Sequence, residues 1–170
     1  MEQILRLAVT DPLFPVPLDV LQAQITFHDF EAGETLGPRP GIRVRTAPLN
    51  HPNGATGYRV EYDGKAVCYV TDTEHTIGTL DANILGLIEG ADVMIYDSTY
   101  TDEEFDTYVG WGHSTWQEGV RLCQEAGVGT LAIFHHDPDH DDAAMDNIAD
   151  AARAAFPGAV VAKEGMTLKP

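Results

Sequence analysis

The sequence predicts an α/β protein built on a mixed β-sheet, and two observations carry this prediction. From residue 80 onward, short apolar runs alternate with helical patterns, which is typical of parallel strands joined by helices. Before them, residues 58–62 alternate between apolar and polar, Asp63-Gly64 follows, and residues 65–70 are mostly apolar. Because Asp-Gly favours a tight type I′ turn, these residues predict an antiparallel hairpin next to the parallel strands.

The composition is that of a folded globular domain. The chain has 170 residues, of which 44% are hydrophobic and 22% are charged, and a chain of this length can bury about two-thirds of its unfolded surface. The formal net charge of −17 leaves no basic face, so we expect no nucleic-acid partner. Either a solvated acidic surface or an acidic recognition surface explains this charge, and a bound cation could still attract an anionic substrate.

The chain is expected to be a cytoplasmic protein without a membrane segment. Cys68 and Cys123 are too few and too far apart for a disulfide framework, so they are interpreted as reduced thiols. The first five residues lack the basic and apolar regions of a signal peptide. No apolar run is long enough to span a bilayer.

Residues before the hairpin predict short elements separated by proline and glycine. Residues 2–9 favour a short helix, and the prolines between positions 12 and 17 favour an extended segment. The runs 24–27 and 42–46 favour strands. Residues 33–41 are rich in glycine and proline, which predicts a loop.

After the hairpin, helices and strands alternate to the end of the chain. A capping box at Thr115-Trp116-Gln117-Glu118 begins a helix that stops at Gly127. The remaining elements follow from spacing: helices over 80–88 and 145–156, and strands at 93–96, 131–134 and 159–162.

Three candidate metal ligands lie at or near strand ends. Asp72 follows the strand 65–70, His135 follows the strand 131–134, and His51 lies in the loop that opens the hairpin. Ligands bind beyond the strand ends of α/β sheets, and imidazole with carboxylate suits zinc, manganese or iron. Taken singly, Asp72 could instead cap a turn and His51 could be an ordinary loop residue.

Two further histidine-containing segments allow more than one interpretation. His113 lies just before a helix start, where it is either functional or a loop residue beside the cap. The run from His135 to Asp142 holds three histidines and four carboxylates in eight positions. It is either a metal site of its own, or an acidic helix entry in which only His135 is a ligand. Carboxylates this close repel one another without a cation.

Five short segments stand in a definite order along the chain. They are residues 49–51 leading into 57–60, then 69–73, 97–100, 112–115 and 131–135. In this order they resemble the second half of the metallo-β-lactamase fold, in the branch of ribonuclease Z and related phosphodiesterases. The resemblance covers residues 42–140. It implies half of an αββα sandwich, a mixed sheet with helices on one face, and a single partial domain over residues 1–170.

The resemblance also implies a role for each candidate residue. His51, Asp72 and His135 would be ligands of two divalent metal ions, with zinc expected and manganese or iron as alternatives. Asp72 would bridge the two ions. His113 would donate a proton to the leaving group, and Asp97 would hydrogen-bond the His113 ring. Two metals that share a hydroxide suit the cleavage of a phosphodiester.

The sequence departs from the family pattern in one respect. The family's other metal ligands come from a His-x-His-x-Asp-His motif, which these 170 residues lack. We therefore expect the C-terminal half of a binuclear hydrolase acting on a phosphodiester or another small ester, inactive alone because the other half is absent. The expected partner is an N-terminal half, or the chain forms a homo-oligomer. The tight hairpin after His51 leaves no room for an RNA-binding arm. The alternative is a non-catalytic module of the same fold that binds a ligand or a partner.

Overall fold

In the computed structural model, residues 2–12, 14, 16, 20 and 22–170 are described, and the chain divides into two compact units, Met1–Glu31 and Ala32–Pro170. In the first unit, helix α1 (Glu2–Ala8) confirms the helix expected over residues 2–9. Residues 13, 15 and 17 of the expected proline segment lie outside the described residues. The expected strand at 24–27 is wrong: these residues form no regular structure, and Ile25 is exposed instead of packing against a partner strand.

The second unit is a seven-stranded mixed sheet with helices. Its elements are β1 (Thr35–Arg39), β2 (Ile42–Leu49), β3 (Ala55–Tyr62), β4 (Lys65–Val70), α2 (Ala82–Ile88), β5 (Val93–Asp97), α3 (Asp102–Phe105), α4 (Trp116–Ala126), β6 (Thr130–Phe134), α5 (Asp142–Ala155) and β7 (Ala159–Val161). The strands lie in sequence order across the sheet. Pairing is antiparallel from β1 to β4 and parallel from β4 to β7, which confirms the mixed sheet.

Strand β1 corrects the expectation of a loop over residues 33–41. It pairs with β2 at the edge of the sheet, and its register is irregular between Leu36 and Arg39. Glycine and proline are tolerated in an edge strand, because a missing N–H on the open side breaks no ladder bond. The hairpin is as predicted: Asp63 and Gly64 have φ values of 49° and 73°, the pair of positive angles that a type I′ turn requires.

Helix α4 begins and ends at the predicted residues. The Thr115 hydroxyl accepts the Glu118 backbone N–H at 3.1 Å, and Gly127 closes the helix with φ of 67°. The Glu118 carboxylate binds Arg121 Nε at 2.7 Å, so the capping box is formed on its Thr115 side. The short helix α3 was not predicted. None of the helices in the described part of the chain has the length and apolar character needed to cross a membrane.

Both cysteines belong to the core between the sheet and the helices. Cys68 and Cys123 are free thiols and almost fully buried. Burial raises the pKa of Cys68 to about 11 and that of Cys123 to about 12. Both therefore stay protonated and packed, as expected of reduced thiols without a catalytic role.

The two faces of the sheet differ in burial. Helices α2, α4 and α5 pack on one face, against buried side chains such as Val70, Met94 and Ile133. The opposite face also carries apolar side chains. Tyr69 is 42% exposed and Phe134 38% exposed, with their ring centroids 6.2 Å apart. This second apolar face is what half of a two-sheet sandwich is expected to present.

We expect the purified chain to self-associate through this second face, because apolar patches of more than a few hundred Å² are rarely left in water. Replacing Tyr69→Thr should reduce association, whereas Ile77→Thr, which removes an apolar side chain 64% exposed outside the sheet, should not. Sedimentation velocity measures the effect. A compact wild-type monomer that binds no apolar dye would contradict the expectation.

Candidate metal and catalytic site

The topology of the sheet brings four strand ends to one edge. Strand β2 runs parallel to β4, because both pair antiparallel with β3, and β4, β5 and β6 are parallel. Asp97 ends β5, Asp72 follows β4 and His135 follows β6. His51 follows β2, so its loop lies at the same edge. His113 comes from the loop between α3 and α4.

The carboxylate of Asp97 is the centre of the site. It is fully buried and accepts hydrogen bonds from several loops. Its Oδ2 accepts the Asp72 backbone N–H at 2.9 Å and binds His113 Nδ1 at 3.0 Å. Its Oδ1 accepts the Thr99 hydroxyl at 2.9 Å and the Ser114 N–H at 3.2 Å. These donors replace the water that a buried charge loses, so Asp97 acts as an acceptor within the protein.

Potential ligand atoms converge around this carboxylate. One atom each from Asp72, Asp97, His113 and His135 lies within 4.8 Å of all the others, the one such group in the described part of the chain. Asp72 Oδ1 is 3.7 Å from His135 Nε2, and the Asp72 side chain is 50% exposed. The structure therefore brings together four of the five predicted site residues.

Hydrogen bonds set which ring nitrogens are free. His113 Nδ1 must donate to Asp97, because an ionised carboxylate only accepts. The Thr99 hydroxyl has one hydrogen, which goes to Asp97 Oδ1 or to the His135 carbonyl. With that hydrogen on either oxygen, Thr99 Oγ1 can accept from His135 Nδ1, which lies 3.1 Å away. The Nε2 atoms of both rings then lack a hydrogen-bond partner in the described part of the chain. For His135, beside the Asp72 carboxylate, this is how metal-bound histidines are held, so the group fits a divalent ion.

His51 lies beside this group and is not part of it. Its ring centroid is 6.2 Å from that of His113. Its Nδ1 accepts the Asn53 backbone N–H at 3.2 Å, which places the proton of the neutral ring on Nε2. A metal ligand needs a lone pair at the coordinating nitrogen, so His51 would have to give up its hydrogen bond with Asn53 to bind an ion through either nitrogen. Its role as a ligand stays a prediction.

Two of the strand-end residues have left-handed backbones. Asp72 has φ of 57° and His135 has φ of 63°, values that are uncommon outside glycine. Such residues persist where the surroundings hold them. The N–H of Asp72 is held by Asp97, and the carbonyl of His135 lies 2.8 Å from the Thr99 hydroxyl.

The three histidines of residues 135–142 have different hydrogen-bond partners. His136 Nε2 lies 3.1 Å from the Ala162 carbonyl, and His140 Nε2 lies 2.9 Å from Glu104 Oε1. Asp141 caps α5 by accepting the Ala144 N–H at 2.8 Å. The structure thus favours the acidic helix entry in which His135 alone joins the site.

Supporting residues that the sequence interpretation missed lie behind the site. Ser114 Oγ binds His75 Nδ1 at 2.8 Å and the Tyr96 hydroxyl at 2.9 Å, all buried. The His75 ring stacks on Phe105 with centroids 4.0 Å apart. Thr99 carried one usable signal, since a hydroxyl two residues after a strand-end Asp is a common local partner of it. Ser114 and His75 carried none.

An Asp/His cluster at the carboxyl edge of a mixed sheet, with helices on one face, is the arrangement expected of a metallo-β-lactamase fold. The model of a family described as "Beta-lactamase superfamily domain" matches residues 7–136, which is more than half of the chain. The chain therefore belongs to the β-lactamase superfamily.

Three similar proteins illustrate the relationship. Ribonuclease BN of Escherichia coli is 30% identical over 138 residues, which cover 81% of this chain and 41% of that protein. The metallo-β-lactamase fold protein YhfI of Bacillus subtilis has a TM-score of 0.65 at 22% identity, covering 81% of this chain and 53% of that one. Zinc-bound PqqB of Methylobacterium extorquens has a TM-score of 0.59 at 17% identity, covering 83% and 55%. The chain thus spans about two-fifths of the curated relative.

Gly112 is predicted to be required for the packing of the His51 and His113 loops. Its φ is +90°, and an added Cβ would collide with the His51 ring and lie 2.8 Å from Pro52 Cδ. Gly78 has φ of +76° with open space around it. We expect Gly78→Ala to lower the free energy of unfolding by about 1–2 kcal/mol, because of its backbone conformation alone. Gly112→Ala should lower it by about 1–3 kcal/mol more, because the added methyl group overpacks the loops. Urea unfolding measures both, and equal losses would contradict the collision.

His75 is predicted to make stability depend on pH. Burial, opposed by the Glu118 carboxylate, lowers the pKa of His75 below its ordinary value of 6.5. Below pH 6.5 the unfolded chain therefore binds more protons than the folded chain. The contribution of His75 to the free energy of unfolding is fully present above pH 6.5 and is lost as the pH drops, by at most about 1.4 kcal/mol per pH unit. The variant His75→Phe should lose this component of the slope, and exposed His28→Phe should keep it. Urea titrations at several pH values measure the free energy of unfolding. The same dependence of this free energy on pH in the wild type and in His75→Phe would contradict the prediction.

Proposed function

We propose that this chain is the C-terminal half of a metal-dependent hydrolase that cleaves a phosphodiester or another small ester. The observation that carries the proposal is the Asp97–His113 pair. A fully buried carboxylate holds Nδ1 of an imidazole at 3.0 Å, and His113, Asp72 and His135 each offer a ligand atom in the same small group. An oriented imidazole beside a carboxylate and a second imidazole suits acid–base work at a metal site.

Asp72 and His135 are the proposed metal ligands, with His51 joining them once its hydrogen bond with Asn53 is broken. The carboxylate of Asp72 is half exposed, and the His135 ring is oriented through Nδ1. This donor set suits zinc, with manganese or iron as alternatives, and the fold is similar to that of zinc-bound PqqB. Divalent ions in such a site activate water and polarise a phosphoryl oxygen.

His113 is the proposed proton donor. Its Nδ1–H is committed to Asp97, so the proton given to the leaving oxygen would come from Nε2. Asp97 is a positioning residue here, because its oxygens are already occupied by donors from the protein. Its bond to Nδ1 sets the direction in which the His113 ring presents Nε2.

A small substrate fits this chain better than a folded RNA. The relative in Escherichia coli is named a ribonuclease, which supports phosphodiester chemistry. This chain, however, has a formal charge of −17 and connects β3 to β4 by a two-residue turn. A polyanion is repelled by such a surface, whereas a small ester needs only the site itself.

The proposed hydrolase needs residues beyond this chain. Catalytic zinc sites use about three protein ligands for each ion, and two ions share ligands. The group of Asp72, His113, His135 and Asp97 supplies too few free ligand atoms for two ions. We propose that an N-terminal-half partner supplies the others, and that the chain by itself turns over little substrate.

Zinc binding by the purified chain is the test of this site. We expect Asp72→Asn and His135→Asn each to weaken zinc binding about tenfold or more in equilibrium dialysis, because each removes a ligand atom. Asp139→Asn removes an exposed acidic residue outside the group and should leave binding unchanged. His113→Gln should also leave it unchanged if His113 acts as a proton donor. Bis(p-nitrophenyl) phosphate should be hydrolysed slowly or not at all.

Two results would contradict separate parts of the proposal. Wild-type zinc affinity in both ligand variants would rule out the metal site. Turnover by the chain alone that a chelator abolishes would instead show that the site is complete without a partner.

A further inference from the structure

A row of aromatic rings leads away from His113 towards solvent. The Tyr100 ring centroid lies 6.4 Å from that of His113, and the Tyr100 side chain is buried. Tyr100 stacks on Tyr108, with centroids 4.2 Å apart and an interplanar angle of 2°. Tyr108 meets Trp111 edge-on at 5.5 Å and 85°. Trp111 ends the row and is 63% exposed.

The backbone around Trp111 is held in place. The N–H groups of Gly110 and Gly112 donate to the same oxygen of Glu74, at 2.7 and 3.0 Å. The Trp111 N–H donates to the Tyr108 carbonyl at 3.1 Å. The exposed indole therefore lies on a loop whose backbone is held by three hydrogen bonds.

An exposed apolar residue is ordinary when it stands alone. Trp111 differs because its loop is anchored, stacked rings support it, and His113 is two residues away. Exposed aromatic rings beside a site are effective binding surfaces, because they offer a large apolar face and lose little conformational freedom.

We propose that Trp111, supported by Tyr108 and Tyr100, stacks against a planar ring carried by the substrate. This inference rests on the proposed function, since it places the ring of an ester on the loop that also carries the residue proposed to protonate the leaving oxygen. The substrate class is a small phosphoester with an aryl group or a nucleobase. Stacking of this kind tolerates different rings, because every planar base has a π-face.

Fluorescence of Trp111 gives a direct measurement. The chain has two tryptophans, and Trp116 is 9% exposed with its indole N–H unpaired in the structure. Trp116→Phe therefore breaks no hydrogen bond seen there and leaves Trp111 as the emitter. Three probes are titrated with and without zinc: adenosine, phenyl phosphate and butyl phosphate. We expect saturable quenching by the two ring-bearing probes and none by butyl phosphate.

Substitutions at Trp111 then test the stacking itself by equilibrium dialysis of the same probes. Trp111→Ala should weaken adenosine binding about 5- to 150-fold, the range for loss of one base–aromatic stack. Trp111→Phe keeps a ring face and should retain most of the binding. Val109→Ala removes another exposed apolar side chain of the loop, 57% exposed, and should have no effect.

The probes separate failure of this inference from failure of the proposed function. Adenosine has no phosphate and needs no metal. Its binding, if it depends on Trp111, therefore supports the stacking surface whether or not the chain binds zinc. Binding of phenyl phosphate alone supports it for aryl esters. Binding of neither ring-bearing probe, or equal binding by Trp111→Ala, overturns it. Zinc-dependent binding of butyl phosphate reports on the metal site independently of Trp111.

Discussion

The buried carboxylate of Asp97 is the interaction on which the site depends. A charge in the interior is costly unless protein donors replace its hydration, and here the donors come from residues after β4, after β5 and before α4. Its bonds to Asp72 and His113 join residues that are 25 and 16 positions away in sequence. Removing any of these donors would leave part of the charge unsatisfied, so the carboxylate keeps the loops at the sheet edge in one arrangement.

The predictability of the fold follows from where local and global preferences agree. Local preference and the final fold agree at the Asp63-Gly64 turn, in the buried parallel strands, and at the Thr115 and Gly127 caps. Strand β1 was missed because glycine and proline oppose a strand, yet an edge position tolerates them. The strand expected at 24–27 has the pattern of a strand, but pairing and burial decide whether a short apolar run becomes one.

The site was predictable only in part, for a related reason. Asp72, His135 and His51 were recognisable because they lie at or near strand ends, where the strand positions the residue, and the resemblance added Asp97 and gave His113 its role. Residues that contact the site from distant parts of the sequence have no such position to identify them. Thr99 reaches His135 across 36 positions, and Glu74 reaches Gly110 across 36. The tautomer of His51 depends on one backbone N–H two residues away. These are tertiary contacts, and their donors are ordinary residues in sequence.

Orientation and metal binding are separable in this site. Because protein donors occupy the oxygens of Asp97, that residue sets the direction of the His113 ring before any ion is bound. The atoms left free, on Asp72 and on Nε2 of His135, are those an ion would use. The loop that carries His113 is anchored a second time through Glu74, whose carboxylate holds the backbone on both sides of Trp111. Proton donation and recognition of the leaving group would then be positioned by one rigid loop, and a change at Glu74 would disturb both together.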